Sequence, residues 1–183
     1  MQQIKIYGTG GQGVVTAANI LVRAVTVHEG KYARSVPAYG YERRGAPVFA
    51  GVMIDSQPIV LASFVYEPNY VLVFDPTVLD KGIDPANGVQ PGSVLVANTD
   101  QERVLQRLRS MPFEVIYHVN ARRIALGVLG RDIPNSAMLG ALAVTGLVGL
   151  ESVCAALGGT FSGKAGESNA DAAREAYRCV RQV

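Results

Sequence analysis

Gly8, Gly10 and Gly13, in the run Gly8-Thr9-Gly10-Gly11-Gln12-Gly13, have the spacing G-x-G-x-x-G between a short apolar stretch (Ile4, Ile6, Tyr7) and a helical pattern from Val14 to Val27. Strand, glycine turn and helix in that order let the backbone approach a ligand closely and aim the helix N-terminal amides at it. The chemistry this favours is binding of an anion such as a phosphate. Turn geometry and tight helix-strand packing alone would call for the same glycines, and the spacing leaves both readings open. A dinucleotide site needs an acidic residue about 20 positions beyond the last glycine to take the ribose hydroxyls. Tyr32-Ala33-Arg34-Ser35 stands there instead, with Glu29 and Glu42 off position, which disfavours NAD. Arg34 leaves an autonomous NADP-binding reductase as an alternative, its guanidinium meeting the extra phosphate.

A second candidate is the loop Tyr39-Gly40-Tyr41-Glu42-Arg43-Arg44-Gly45. Arg43 and Arg44 could present two guanidinium forks to a phosphate or carboxylate, and Tyr39, Tyr41 and Glu42 complete the composition of an interface anchor. The plainer reading is a surface loop with a local Glu-Arg pair, which stabilises little. Gly158 to Ala165 comes close to a P-loop, but Ala165 replaces the magnesium-binding Ser or Thr and a helical pattern precedes it, so Lys164 reads as a solvated lysine. Two cysteines, Cys154 and Cys179, cannot ligate an iron-sulfur cluster alone and read as small packing residues. His28 and His118 stand isolated, without a metal-ligand pattern, and no G-x-S-x-G elbow occurs. No catalytic group and no metal site emerges, so a self-sufficient enzyme is disfavoured against a subunit or a Rossmann-like interaction module.

The elements that must position these motifs alternate along the chain. Strands are expected at Ile4–Tyr7, Tyr32–Val36, Tyr70–Phe74, Ser93–Ala97 and Phe113–Val119, with an added antiparallel hairpin pairing Val48–Ile54 and Pro58–Leu61 across Asp55-Ser56-Gln57. Helices are expected at Gln101–Arg109 and Ala121–Leu129, then as a glycine-punctuated helix Asn135–Leu157 broken by Gly158-Gly159, and finally at Ala170–Val180. The pattern is α/β: a Rossmann-like open, mostly parallel sheet with helices on both faces and a helical C-terminus, in one domain spanning 1–183. With 49% hydrophobic residues, 17% charged, mean hydropathy +0.19 and 17 Lys+Arg nearly cancelling 15 Asp+Glu, the chain is no disordered tail and carries no nucleic-acid surface. The start lacks a secretory pattern, the greasy stretch Met138–Leu150 is too short for a membrane span, and sparse cysteine fits a cytoplasmic location.

The wording of Gly8-Thr9-Gly10-Gly11-Gln12-Gly13-Val14-Val15, followed by Tyr39-Gly40-Tyr41-Glu42-Arg43-Arg44-Gly45, resembles the gamma subunit of 2-oxoacid:ferredoxin oxidoreductases. Tyr70 to Asp75, Gly92 to Asn98 and Asn135-Ser136-Ala137-Met138-Leu139-Gly140-Ala141 follow in the family's order, so the resemblance covers nearly the whole chain. It implies an accessory subunit of a complex, most commonly a pyruvate enzyme, that oxidatively decarboxylates a 2-oxoacid with coenzyme A to acyl-CoA, CO2 and reduced ferredoxin or a related acceptor. It further implies alpha, beta and delta-type partner subunits that carry thiamine diphosphate with magnesium and the iron-sulfur clusters. The isolated chain would be inactive. Assembly and a coenzyme A path are the contributions expected of it, with Gly8, Gly10, Gly11, Gln12, Gly13, Arg43 and Arg44 as ligand-binding residues and Tyr39, Tyr41 and Glu42 at an interface.

Overall fold

Continuous apolar runs make the centre of a sheet, and the glycine turn converts its first strand into a helix. The computed structural model describes residues 1–38, 45–60 and 63–183. Its strands are β1 (Gln2–Thr9), β2 (Tyr32–Ala38), β3 (Pro47–Asp55), β4 (Tyr70–Val73), β5 (Val94–Asn98), β6 (Val115–Val119) and β7 (Arg181–Gln182). The helices are α1 (Val14–His28), α2 (Glu102–Arg109), α3 (Ala121–Leu129), α4 (Asn135–Ala143), α5 (Leu150–Thr160) and α6 (Lys164–Cys179), with a 3-10 turn at Pro76–Lys81. The strands form one sheet in the order β2-β3-β1-β4-β5-β6-β7. β1, β4, β5 and β6 are parallel; β3 runs against both β1 and β2, and β7 against β6. The α/β, mostly parallel architecture is the one expected.

Alternation along each strand divides the core. Ile4, Ile6, Ala50, Val52, Ile54, Leu72 and Val96 face one side with α1, α4, α5 and α6, while α3 packs on α6 and α4. Tyr7, Val71, Val73, Leu95, Ala97 and Ile116 face the other, under α2 and the 3-10 turn. Every residue of α4 is buried, which accounts for the greasy stretch beginning at Met138.

Several elements differ from expectation. The hairpin pairs β2 with β3 through residues 39–46, not 48–54 with 58–61. Pro58 lacks a ladder donor, Val60 is 84% exposed and residues 58–60 form no strand, while Leu61 lies outside the described residues. The helix expected from Asn135 to Leu157 is two helices. Gly146 adopts φ 78° after Val144, and the Thr145 hydroxyl donates to the Leu142 carbonyl at 2.8 Å, closing α4. Gly158-Gly159 does not break α5, because Gly159 is where the Arg23 guanidinium of α1 lies against the helix. The final helix begins at Lys164, six residues before the expected Ala170, and β7 has no apolar pattern to announce it.

Candidate functional site

The carboxyl ends of β1 and β4 meet where the chain leaves β1 toward one edge of the sheet and β4 continues toward the other, the position at which open α/β sheets bind ligands. β1 ends with Thr9 opposite Pro47, so the start of β3 lies beside the glycine turn. The Gly10 amide donates to the Ala46 carbonyl at 2.8 Å, and the Gly45 amide donates to the Gly10 carbonyl at 3.3 Å. The far flank of the arginine loop is thereby tied to the turn. Tyr39, Gly40, Tyr41, Glu42, Arg43 and Arg44 lie outside the described residues.

Within the turn each glycine has its own reason. A Cβ on Gly8 would fall 2.6 Å from Val14 Cγ2 and 2.9 Å from Gln12 Oε1. Gly11 and Gly13 have φ 99° and 76°, the region glycine adopts without strain. A Cβ on Gly13 would also sit 2.7 Å from Asn135 Nδ2 at the start of α4. The Gly10 amide is taken by Ala46 and the Gln12 amide by the Thr9 carbonyl at 3.2 Å, whereas Gly11 and Gly13 have no backbone acceptor among the described residues. No side chain caps α1, whose first hydrogen bond runs from the Ala17 amide to the Gly13 carbonyl at 2.8 Å. The anion-binding potential of the turn thus narrows to Gly11, Gly13 and the first turn of α1.

Sequence reasoning missed Asp75, Lys81 and Asn135 here. Asp75, two residues beyond β4 and capping the 3-10 turn, accepts from the Thr9 hydroxyl at 2.9 Å and Gln12 Nε2 at 3.2 Å through Oδ2. Its Oδ1 accepts from the Thr77 amide at 3.0 Å and the Thr77 hydroxyl at 2.7 Å. Gln12 Oε1 in turn accepts the Thr9 amide at 2.9 Å, so one side chain latches the turn to β4. Lys81 Nζ donates to the Gly45 carbonyl at 2.7 Å, placing a cation beside the glycine turn's partner at Gly45. Asn135, 4% exposed, turns Oδ1 to the Ser136 amide at 2.8 Å and has its Nδ2 against Gly13. Asp75 was legible only as a strand stop, and Asn135 only through its place in a family pattern.

Burial raises the Asp75 carboxyl, but the hydrogen bonds from Thr77 and Thr9 and the nearby Lys81 charge outweigh it, and the net effect holds it below the usual carboxylate range. A depressed folded pKa contributes stability above the ordinary aspartate range that is lost as pH falls through the folded value. Asp75→Asn is expected to cost about 1–2 kcal/mol at neutral pH, because Gln12 Nε2 and the Thr9 hydroxyl lose a charged acceptor. Urea midpoints at neutral and acid pH check this: the acid-induced drop should be smaller in the variant than in the parent.

The remaining candidates lie elsewhere. Arg34 is exposed on β2, which β3 separates from β1, and both Arg34 and Gln3 pair with Met53. That register puts it level with the start of β1, about 20 Å along the sheet from the turn. Arg34 is therefore out of reach of a phosphate held there. Lys164 is exposed at the start of α6. His28 is exposed, and His118 Nδ1 lies 3.0 Å from the Thr99 carbonyl. Cys154 packs in the core, but Cys179 does not, being exposed at the end of α6. Among the described residues no group of three or more His, Cys, Asp or Glu could hold a metal, and no helix is long and apolar enough to cross a membrane.

Residues 3–179 match the family model described as Pyruvate ferredoxin/flavodoxin oxidoreductase. The chain is 47% identical over 180 residues to the Pyruvate/ketoisovalerate oxidoreductases common subunit gamma of Pyrococcus furiosus, covering 97% of this chain and 96% of that one. It is 44% identical over 178 residues to Pyruvate synthase subunit PorC of Methanocaldococcus jannaschii, covering 97% and 96%. Among solved structures, pyruvate oxidoreductase subunit PORC of Thermotoga maritima superposes with TM-score 0.84 at 33% identity over 99% of this chain and 97% of that one. The 2-oxoglutarate:ferredoxin oxidoreductase of Magnetococcus marinus shares the fold, with TM-score 0.74 at 14% identity, over 97% of this chain and 31% of that one.

Proposed function

Because the chain belongs to the pyruvate ferredoxin/flavodoxin oxidoreductase family, we propose that it is the accessory gamma subunit of a thiamine diphosphate-dependent oxidoreductase acting on a 2-oxoacid of the pyruvate class. The assembled enzyme joins the acyl group to the coenzyme A thiol, releases CO2 and a proton, and passes an electron pair to ferredoxin or a related acceptor. Alpha, beta and delta-type subunits hold thiamine diphosphate, magnesium and the iron-sulfur clusters. The two cysteines of this chain, one in the core and one at the end of α6, do not form a cluster site. The isolated chain turns over no 2-oxoacid, and the complex works in the cytoplasm.

The observation that carries the chain's own contribution is the junction of the two motifs, Gly10 hydrogen-bonded to Ala46 and Gly45 to Gly10. Thirty-odd residues apart in sequence, the glycine turn and residues 45–46 lie side by side at the carboxyl end of β1. In this reading Gly8, Gly10 and Gln12 shape the turn. The amides of Gly11 and Gly13, the first turn of α1 and Asn135 Nδ2 bind a phosphate of coenzyme A. Arg43 and Arg44 supply guanidinium forks to the same ligand, and Tyr39, Tyr41 and Glu42 meet a neighbouring subunit. The position of Arg34 stands against the NADP reading.

Native mass spectrometry of the tagged chain purified from its own cell, with thiamine diphosphate and iron quantified in the same sample, tests the subunit role. Larger subunits and both cofactors should co-purify with it. A lone chain or homo-oligomer lacking both would overturn the reading.

A further inference from the structure

The two faces of the sheet are unequally covered. Five helices lie over the face of Ile4 and Ile6, whereas α2 and the 3-10 turn cover the other only from β6 across to Tyr7. Toward β2 that second face is formed by Lys5, Phe49, Gly51, Met53, Arg34 and Val36, related by the pairings Lys5 to Gly51, Gly51 to Val36 and Met53 to Arg34; Met53 is buried, Arg34 exposed and the others partly exposed. Val65 covers it at one point, in the notch Gly51 leaves: a Cβ there would fall 2.8 Å from Val65 Cγ2. The strap of residues 63–68 that carries Val65 leaves Phe64 53% and Tyr66 69% exposed on either side of it.

A half-buried cation, Lys5, sets this surface apart from the exposed apolar group of Leu126 and Val128 on α3 with Tyr177 on α6. Around that group the cations are exposed, Arg122 pairing with Asp132 at 2.5 Å and Arg178 with Glu175 at 3.3 Å, while Arg123 has no ion-pair partner among the described residues. Lys5 and Arg34 have no ion-pair partner among the described residues, and the Lys5 ammonium lies 5.5 Å from the Tyr7 ring centroid. Burial holds Lys5 below the usual lysine range, so a carboxylate beside it would be favoured more than at an open surface.

We propose that the strap residues Phe64 and Tyr66, with the open sheet face of Lys5, Arg34, Val36 and Phe49, form the surface on which a larger subunit of the oxidoreductase docks, its apolar side chains meeting the strap and its carboxylates meeting Lys5 and Arg34. Two aromatic anchors, with Glu67 beside them on the strap and Lys5 and Arg34 on the sheet, are the make-up of an apolar interface core with a charged rim. The inference rests on the subunit reading above.

Three tagged double variants test it in the native cell: Phe64→Ser with Tyr66→Ser, Lys5→Glu with Arg34→Glu, and, at the other apolar group, Leu126→Ser with Tyr177→Ser. Circular dichroism confirms folding, and native mass spectrometry reads the fraction of tagged chain bound to subunits that carry thiamine diphosphate and iron. The first two pairs are expected to lower that fraction at least tenfold and the third to leave it unchanged. Parental assembly by folded variants of both the strap and the charge pair overturns the proposal, as does loss confined to the third pair. If the unmodified chain carries no larger subunit, the subunit reading itself fails, and that result is distinct from any variant's.

Discussion

Gly140→Val is expected to lower the thermal midpoint of the purified protein by about 6–12 °C, from about 3 kcal/mol of overpacking at about 2–4 °C per kcal/mol for a chain of this size. Gly140 sits in the wholly buried α4, and a side chain there would fall on the Ala173 carbonyl of α6. Backbone cannot swing aside as a flexible side chain would, so α4 and α6 must separate. Their contact is among the most extensive between elements of the molecule, and α6 also packs on α3 and α5. Gly127, on α3 with nothing near its Cβ position, is the counterpart. Gly127→Ala is expected to stabilise by about 0.5–1 kcal/mol, because alanine loses less chain entropy in a helix. Differential scanning calorimetry of the pair checks both signs. A Gly140→Val midpoint equal to the parent's would refute the close-approach account.

The double variant Arg43→Ala, Arg44→Ala, studied in the assembled enzyme, is expected to raise the Michaelis constant for coenzyme A by about 100-fold to 10,000-fold. Hydrogen bonds to charged groups contribute about 1.5–3 kcal/mol each. Turnover at saturating coenzyme A should stay near the parent's, since the role proposed for these arginines is to bind ligand and not to supply a reacting group. Steady-state kinetics with coenzyme A varied at fixed 2-oxoacid separates the two quantities. An unchanged Michaelis constant with intact assembly would remove the loop from the coenzyme A path.

Much of this architecture was legible because its strands are short apolar runs bounded by strong punctuation. Tyr70–Phe74 halts at Asp75-Pro76, and Asn120 caps α3 by accepting from the Arg123 amide at 2.9 Å, so those elements lie where expected. The hairpin was misplaced because Asp55-Ser56-Gln57 is a plausible turn, while the true partner of β3 lies across the charged loop beginning at Tyr39. Local pattern could not choose between two candidate partners; the ladder with β2 did. Gly158-Gly159 misled for a related reason, since its role is to admit Arg23, a contact of distant origin. At the site the glycines announced themselves, but Asp75 and Asn135 did not. Their significance is to meet Thr9, Gln12 and Gly13 across 60 to more than 120 positions of chain, and a single sequence does not display such pairings.

The unequal cover of the sheet also orders events in time. β1, β3, β4 and β5 are complete by Asn98 with α1 the one helix made for the face of Ile4, Ile6 and Leu72, yet α4, which shares that face, and α5 and α6, which pack behind α1 and α4, begin only at Asn135. During synthesis a nearly finished sheet therefore waits, with one greasy side only partly covered by α1, for the helices that will seal it. An intermediate of that shape invites aggregation. The burden of surviving biogenesis falls on whatever shelters the emerging chain between those two points, and accumulation of soluble protein should depend on the rate at which the helical segment follows.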